Sequence, residues 1–302
     1  MGLSVRIGKT ALKNPVCVAS GTYGFGDEMW DIANLNALGA LFTKAVTKES
    51  RQGNMPPRIV ETPSGMLNAI GLANGGVEWF IREKTPFLCM LKCAVFVNVA
   101  GSRLADYDHV VRRLEGVPGI SGFEINVSCP NVKKGGISFA AHPSNTAMVV
   151  RKLRKATKKT LVIKLSPNVA DIAAYARVCE DEGADAISLI NTLVGMSVDI
   201  DTCRPRLKNI TGGLSGPAIR PVGVAMVYKA AQAVRIPVIG IGGIMDARDA
   251  LEYIIAGATA VQVGTANFVD GAIPEKIVSG IQGYLRRKKA AHFKDIVGCI
   301  RI

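Results

Sequence analysis

Among seven cysteines (Cys17, Cys89, Cys93, Cys129, Cys179, Cys203 and Cys299) the chain has no Cys-x-x-Cys pair. An odd count without that spacing indicates neither a disulfide framework nor a zinc or iron–sulfur site, so reduced thiols and no metal are expected. Cys89 and Cys93 could share a helical face, and they read as two small buried residues rather than ligands. The N-terminal run MGLSVRIGKTALKNP lacks the apolar core of a secretory signal. No apolar stretch reaches the ~18 residues of a membrane span, so a cytoplasmic protein that does not enter the membrane is expected. Arg6 stands where N-myristoylation needs Ser or Thr. Aromatic residues make up only 6% of the chain, and none interleaves the basic runs Arg151-Lys-Leu-Arg-Lys155, Lys158-Lys159 and Arg286-Arg-Lys-Lys289. Despite a net charge of +13, the stacking platform of a nucleic-acid binder is missing. The basic runs read as solvated helix faces, or as a docking face for an acidic partner.

What is present suits a large core: 48% of the 302 residues are hydrophobic and 20% charged. No low-complexity linker divides the chain, and its length fits one α/β barrel domain over residues 1–302. Short apolar, β-branched runs alternate with longer helical patterns, the signal of parallel βαβ units. The expected strands are Pro15–Thr22, Leu41–Thr47, Ala94–Gly101, Gly122–Cys129, Leu161–Pro167, Ala186–Thr192, Pro237–Ile244 and Ala260–Asn267. Expected helices are Asp27–Leu38, Val77–Glu83, Leu104–Leu114, Asn145–Ala156, Ala170–Glu182, Pro217–Val234, Ala247–Ala256 and Pro274–Arg287. Strands this continuously apolar are buried on both faces, and eight such units favour a closed (β/α)8 TIM barrel over an open sheet. Two connections are longer than a barrel needs, Lys48–Gly76 and Leu193–Gly216. Both follow strand C-termini, where barrel active sites lie, and they read as substrate-covering loops.

Five of these strands carry a polar residue near the C-terminal end: Lys44, Asn98, Asn126, Lys164 and Asn191. Each alone could be a satisfied core group, since an unpaired amide or ammonium in an apolar run costs several kcal/mol. Together they point to a shared, electron-rich ligand at the barrel mouth. The last two strands end in Gly240-Ile-Gly-Gly-Ile244 and Val263-Gly-Thr265, where glycine lets backbone N–H groups approach phosphate oxygens. Glycine at a strand end can also simply relieve crowding. Cys129 closes the fourth strand between Asn126 and Asn131; its thiol could act as a base or be a small buried hydrophobe. His109 reads as a surface residue, His142 as a competing base in the loop after the fourth strand, and His292 as solvated.

With their neighbours, these segments resemble class 1 dihydroorotate dehydrogenases, and within them the B subclass. The matching runs are Thr43-Lys-Ala-Val-Thr-Lys48, Glu61-Thr-Pro-Ser-Gly-Met-Leu-Asn-Ala-Ile-Gly-Leu72, Val97-Asn-Val-Ala-Gly101, Glu124-Ile-Asn-Val-Ser-Cys-Pro-Asn-Val-Lys133 with Gly135-Gly136, Ile190-Asn-Thr192 and Thr211-Gly-Gly-Leu-Ser-Gly-Pro-Ala-Ile219. The resemblance implies FMN-dependent oxidation of (S)-dihydroorotate to orotate in pyrimidine biosynthesis. Cys129 would take the C5 proton while hydride leaves C6 for flavin N5. The membrane-bound class has a serine at this position and an N-terminal membrane helix, and this sequence shows neither.

By the same resemblance, Lys44, Asn68, Ile70, Gly71, Leu72, Asn126, Asn131, Asn191 and Thr192 would hold the substrate. Ala19, Ser20, Gly21, Lys44, Asn98, Asn126, Lys164, Ile190, Gly216, Gly242, Gly243, Gly264 and Thr265 would line the flavin, with Lys164 at its N1–O2 edge. The resemblance also implies an electron-transfer subunit carrying FAD and an iron–sulfur cluster that passes electrons to NAD⁺, around a homodimeric core or as a heterotetramer. A related FMN barrel acting on another pyrimidine, a different electron acceptor, and a non-redox phosphate-binding barrel using Lys164 as a Schiff-base lysine remain the alternatives.

Overall fold

A computed structural model of the chain describes residues 2–128 and 139–301. Cys129 and Asn131 lie outside the described residues. The chain opens with a hairpin, β1 (Val5–Ile7) and β2 (Thr10–Leu12), and enters the barrel at β3 (Val16–Val18) and β4 (Ala40–Phe42). The first long connection then forms β5 (Ile59–Thr62) and β6 (Gly65–Asn68), followed by helices α1 (Val77–Glu83) and α2 (Thr85–Leu88). Strand and helix alternate through β7 (Ala94–Val99), α3 (Leu104–Glu115), β8 (Gly122–Asn126), α4 (Pro143–Arg154), β9 (Thr160–Lys164), α5 (Ile172–Asp181) and β10 (Ala186–Leu189). The second long connection holds β11 (Leu193–Met196), β12 (Val198–Asp199), β13 (Arg204–Pro205) and β14 (Thr211–Ser215). The chain finishes with α6 (Arg220–Ala233), β15 (Val238–Ile241), α7 (Ala247–Ile255), β16 (Ala260–Val263) and α8 (Ile273–Lys288).

Eight parallel strands, in the order β3-β4-β7-β8-β9-β10-β15-β16, close on themselves, as the alternation of apolar runs and helical segments predicts. Successive side chains alternate between the helix layer and the barrel interior. Outward, Val95, Val97, Phe123, Ile125, Leu161 and Ile163 join the main core under the helices. Inward, Cys17, Phe42, Phe96, Val162, Ala186 and Ile239 form a separate apolar plug, which Ile7 and Leu12 of the N-terminal hairpin close from below. Phe42 and Phe96 stack at 4.7 Å within it, and burial of each ring stabilises the fold by ~1.5–3 kcal/mol. The lower barrel is therefore filled, and a ligand inside the barrel has room only toward the C-terminal end.

The structure corrects three sequence expectations. Asp27–Leu38 is not one helix but two short turns, Asp27–Met29 and Leu35–Ala37. The break falls at Asn34, whose N–H donates to Glu275 of α8 rather than back along its own segment. The long connections, expected as loops, pair with each other in an antiparallel sheet of order β11-β14-β6-β5. Hydrogen bonding between segments 145 residues apart, such as Asn68 and Gly213, has no local signature. Finally, Cys89 is exposed at the end of α2 while Cys93 is buried, so the two do not share a buried face.

Candidate active site

The floor of the site is built by period-two geometry. Asn98, Glu124, Lys164, Ser188 and Gln262 each follow an inward residue of their strand at a spacing of two or sit on the same register, and all are buried. The Glu124 carboxylate accepts hydrogen bonds from Asn98 Nδ2 (2.6 Å), Ser188 Oγ (2.7 Å) and Gln262 Nε2 (2.8 Å). Its second oxygen lies 4.0 Å from Lys164 Nζ. A buried carboxylate is tolerable only with such donors and a counter-charge. Among the described residues, buried Asn98 Oδ1 and Gln262 Oε1 have no hydrogen-bond partner. The five polar strand-end residues thus do not share one level: Asn98 pairs in register with Glu124, a layer beneath Asn126, because tilted barrel strands are staggered.

Above this layer stands the rim. Asn126 Oδ1 accepts from Ser128 N (3.1 Å) and from Asn191 Nδ2 (3.4 Å). Asn191 lies just past β10 rather than within it, held by its N–H to Leu165 O (3.1 Å) and by Oδ1 to Thr192 N (2.8 Å). Asn68 reaches the same place on β6, its Nδ2 donating to Gly213 O at 3.2 Å. A Cβ on Gly213 would stand 2.0 Å from Thr192 Oγ1, so the contact of Asn68 with Gly213, where the two long connections meet, lies beside Thr192. Lys44 is half-buried two residues beyond inward-facing Phe42, its N–H donating to Gly24 O (2.7 Å). It too lies past its strand, which ends at Phe42.

Ile70, Gly71 and Leu72 form a tight loop beside this rim. Both Gly71 (φ 77°) and Leu72 (φ 58°) are left-handed, a conformation that costs a leucine about 1 kcal/mol or more. Asn74 over-determines it: Nδ2 donates to Leu72 O and Thr47 Oγ1 (both 2.8 Å), and Oδ1 accepts from Thr47 N (3.2 Å) and Gly76 N (2.8 Å). The loop is thereby tied to the segment that carries Lys44.

The glycine rim assembles from four places. Ala19 N donates to Val263 O (2.7 Å), bringing Ala19, Ser20 and Gly21 beside Gly264, and a Cβ on Gly21 would meet only open space. Thr265 Oγ1 lies 2.9 Å from Ser215 Oγ, next to Gly216. A Cβ on Gly243 (φ 65°) would stand 2.7 Å from Gly216 O, so the chain ends after β14, β15 and β16 abut. Gly242 is fixed by the Tyr253 hydroxyl, which donates to its carbonyl at 2.7 Å; burial pushes this phenol up, so it remains a donor. Ile190 is buried behind Gly242, with its N–H on Ile241 O.

Among the described residues no group of His, Cys, Asp and Glu could hold a metal ion. None of the described helices is long and apolar enough to cross a membrane. Burial pushes the thiols of Cys17, Cys93 and Cys179 up, so these three are poor bases. His142 caps α4, its Nδ1 accepting from Ser144 N, and His109 is half-buried on α3. Arg151 and Arg154 pair with Glu182 and Asp185, as solvated helix faces do.

The family model described as dihydroorotate dehydrogenase matches residues 2–285. The chain belongs to the dihydroorotate dehydrogenase family. It is 51% identical over 300 residues to the "Dihydroorotate dehydrogenase B (NAD(+)), catalytic subunit" of Geotalea daltonii, covering 99% of this chain and 98% of the relative. The protein of the same name from Thermoanaerobacter sp. is 48% identical over 302 residues, with both chains covered completely. A solved dihydroorotate dehydrogenase from Eimeria tenella, in complex with ferulenol, superposes with a TM-score of 0.82 at 20% identity, covering 98% of this chain and 88% of that one. That likeness speaks for the fold.

Within the family frame, sequence reasoning overlooked Glu124, Ser188, Gln262, Asn74 and Tyr253. Glu124 had a usable signal, a charged residue two before Asn126 and hence on the same inward face. Asn74 and Tyr253 had none, since their roles lie in backbone groups distant in sequence.

Proposed function

We propose that this chain oxidises (S)-dihydroorotate to orotate with FMN, as a single FMN-binding domain over residues 1–302. The observation that carries the reading is the convergence of Asn68, Asn126, Asn191 and Thr192 at the barrel mouth, where Asn126 pairs in register with buried Lys164. Alternating amide donors and acceptors suit a planar ring of alternating N–H and C=O groups bearing a carboxylate. The residues also fit FMN: glycine backbone edges suit a phosphate, and the unpartnered Asn98 Oδ1 offers an acceptor at the floor.

FMN, when bound, supplies the two-electron acceptor for the hydride that leaves C6. Lys164, with Lys44, holds positive charge where the electron-rich edge of the cofactor would lie. Gly216, Gly242, Gly243, Gly264 and Thr265 would present backbone donors to its phosphate, and Ala19, Ser20, Gly21, Asn98 and Ile190 would line the rest. Cys129 removes the C5 proton as the general base, and Asn131 completes the substrate hydrogen bonds. The loop Ile70-Gly71-Leu72 packs over the bound ring and excludes water. An ordinary thiol titrates near pH ~8.5, so flavin reduction by dihydroorotate accelerates as pH rises toward that value.

Anaerobic stopped-flow mixing tests this directly. Dihydroorotate should bleach the flavin absorbance of the purified protein, whereas bleaching by dihydrouracil alone would overturn the substrate assignment. The names of the relatives, catalytic subunits acting with NAD⁺, support electron transfer through a second subunit. We read that subunit as carrying FAD and an iron–sulfur cluster, joined to a homodimeric core or in a heterotetramer in the cytoplasm. The isolated chain should then reduce an artificial dye but not NAD⁺; rapid NAD⁺ reduction without a partner overturns this part.

A further inference from the structure

The Glu124 carboxyl group is fully enclosed by the barrel, yet the proposed reaction assigns it nothing. Among the described residues, its hydrogen-bond partners are Asn98, Ser188 and Gln262 of the floor, none of them on the rim or the glycine edge. Three neutral donors, from β7, β10 and β16, hold its carboxylate on the barrel axis. Its nearest cation among the described residues is Lys164 Nζ at 4.0 Å. The Cys17 thiol on β3 also faces this carboxylate, and burial pushes that thiol up, so it adds no charge. Three donors clamp the anion while the lysine side chain remains long and flexible. Of the two charges, Glu124 is therefore the fixed one and Lys164 the one being placed.

We propose that Glu124 is the positioning residue for Lys164: it anchors the ammonium on the barrel axis and offsets part of its charge, thereby setting the reduction potential of the bound flavin. The inference rests on the FMN reading above. An ammonium released from its counter-ion interacts more strongly with the electron-rich reduced flavin, so loss of Glu124 favours reduction. Without Lys164, by contrast, Glu124 has no ammonium to place. Replacing it by glutamine then changes little. The unpartnered oxygens Asn98 Oδ1 and Gln262 Oε1 allow those amides to turn and accept from a glutamine at this position.

The test is a double-mutant cycle on the flavin-loaded full-length chain, read as midpoint potential by dye equilibration. Glu124→Gln is expected to shift the two-electron reduction equilibrium toward the reduced flavin at least tenfold, or about 30 mV. In a Lys164→Met background the same change should have less than a third of that effect. Glu124→Asp, which keeps the charge, should return most of the shift. An equal effect of Glu124→Gln with and without the Lys164 side chain overturns the proposal, as does an unchanged potential. Should Glu124→Gln fail to accumulate, thermal unfolding of the full-length chain reads the same pair. Lys164→Met should lower Tm, and adding Glu124→Gln should recover at least half of that loss; no recovery overturns the pairing. A wild-type chain that binds no FMN overturns the functional reading instead, and leaves the unfolding cycle as a separate test of the pair.

Discussion

On the barrel floor, Asn98, Glu124 and Ser188 sit in strands whose ladders fix them, and none is exposed to solvent. In the antiparallel sheet above, Asn68 is half-buried and reaches its place only because β6 pairs with β14 from another part of the chain. The floor is thus over-determined by the closed ring of strands, whereas the cover depends on the pairing of β6 with β14 between two connections. On the proposed function, floor residues would face the cofactor and set charge, while cover residues would face the substrate and set fit. Substitutions in the two regions should separate accordingly, into changes of potential or FMN affinity and changes of substrate handling.

The largest effect sharpens the contrast from the chemistry itself. Cys129, three positions past Asn126, should lose ~10²–10⁴-fold in the rate of flavin reduction when changed to serine, the usual size of a general-base contribution, with FMN retained. Stopped-flow reduction at the wild-type rate would sink its assignment. Next, Asn68→Ala should cost kcat/KM for dihydroorotate about 10- to 100-fold, since an unmade buried hydrogen bond costs ~1–3 kcal/mol. A midpoint potential that moved with it would break the separation of floor from cover.

Gly243→Ala probes the barrel side. Its Cβ would meet Gly216 O at 2.7 Å at a φ of 65°, and relieving that contact must shift the backbone. Strain of ~1–3 kcal/mol predicts a Kd for FMN about tenfold weaker or more, measured by flavin fluorescence on reconstitution, with little change in KM for substrate. The smallest effect belongs to Asn74→Ala, which unties the Ile70–Leu72 loop from Thr47. We expect KM for dihydroorotate to rise about threefold to tenfold, the worth of roughly one net hydrogen bond, with the potential unchanged. Equal loss of FMN in this variant would show that the loop supports both sides.

How much of this was legible follows from distance along the chain. The eight strands and most helices announce themselves in short windows, because a buried parallel strand must be apolar and a helix must repeat near 3.6. Asp27–Leu38 carries such a pattern and still breaks, because Glu275 takes the Asn34 N–H. Asn126 and Lys164 were recognisable as polar residues in apolar runs. Glu124 lies a layer beneath the strand ends, and Gln262 carries no local signal because only the closed barrel brings it within 2.8 Å of Glu124.

By itself, then, the sequence determined the barrel, the apolar plug of its lower half and the polar character of its mouth. These depend on residue type and period alone. Only tertiary structure decided that two distant connections pair into one cover, that Asn98 belongs to the layer below Asn126, and that Lys164 answers to a buried carboxylate. Each of those requires strands far apart in sequence to come into register, and register is settled by the closure and tilt of the whole barrel.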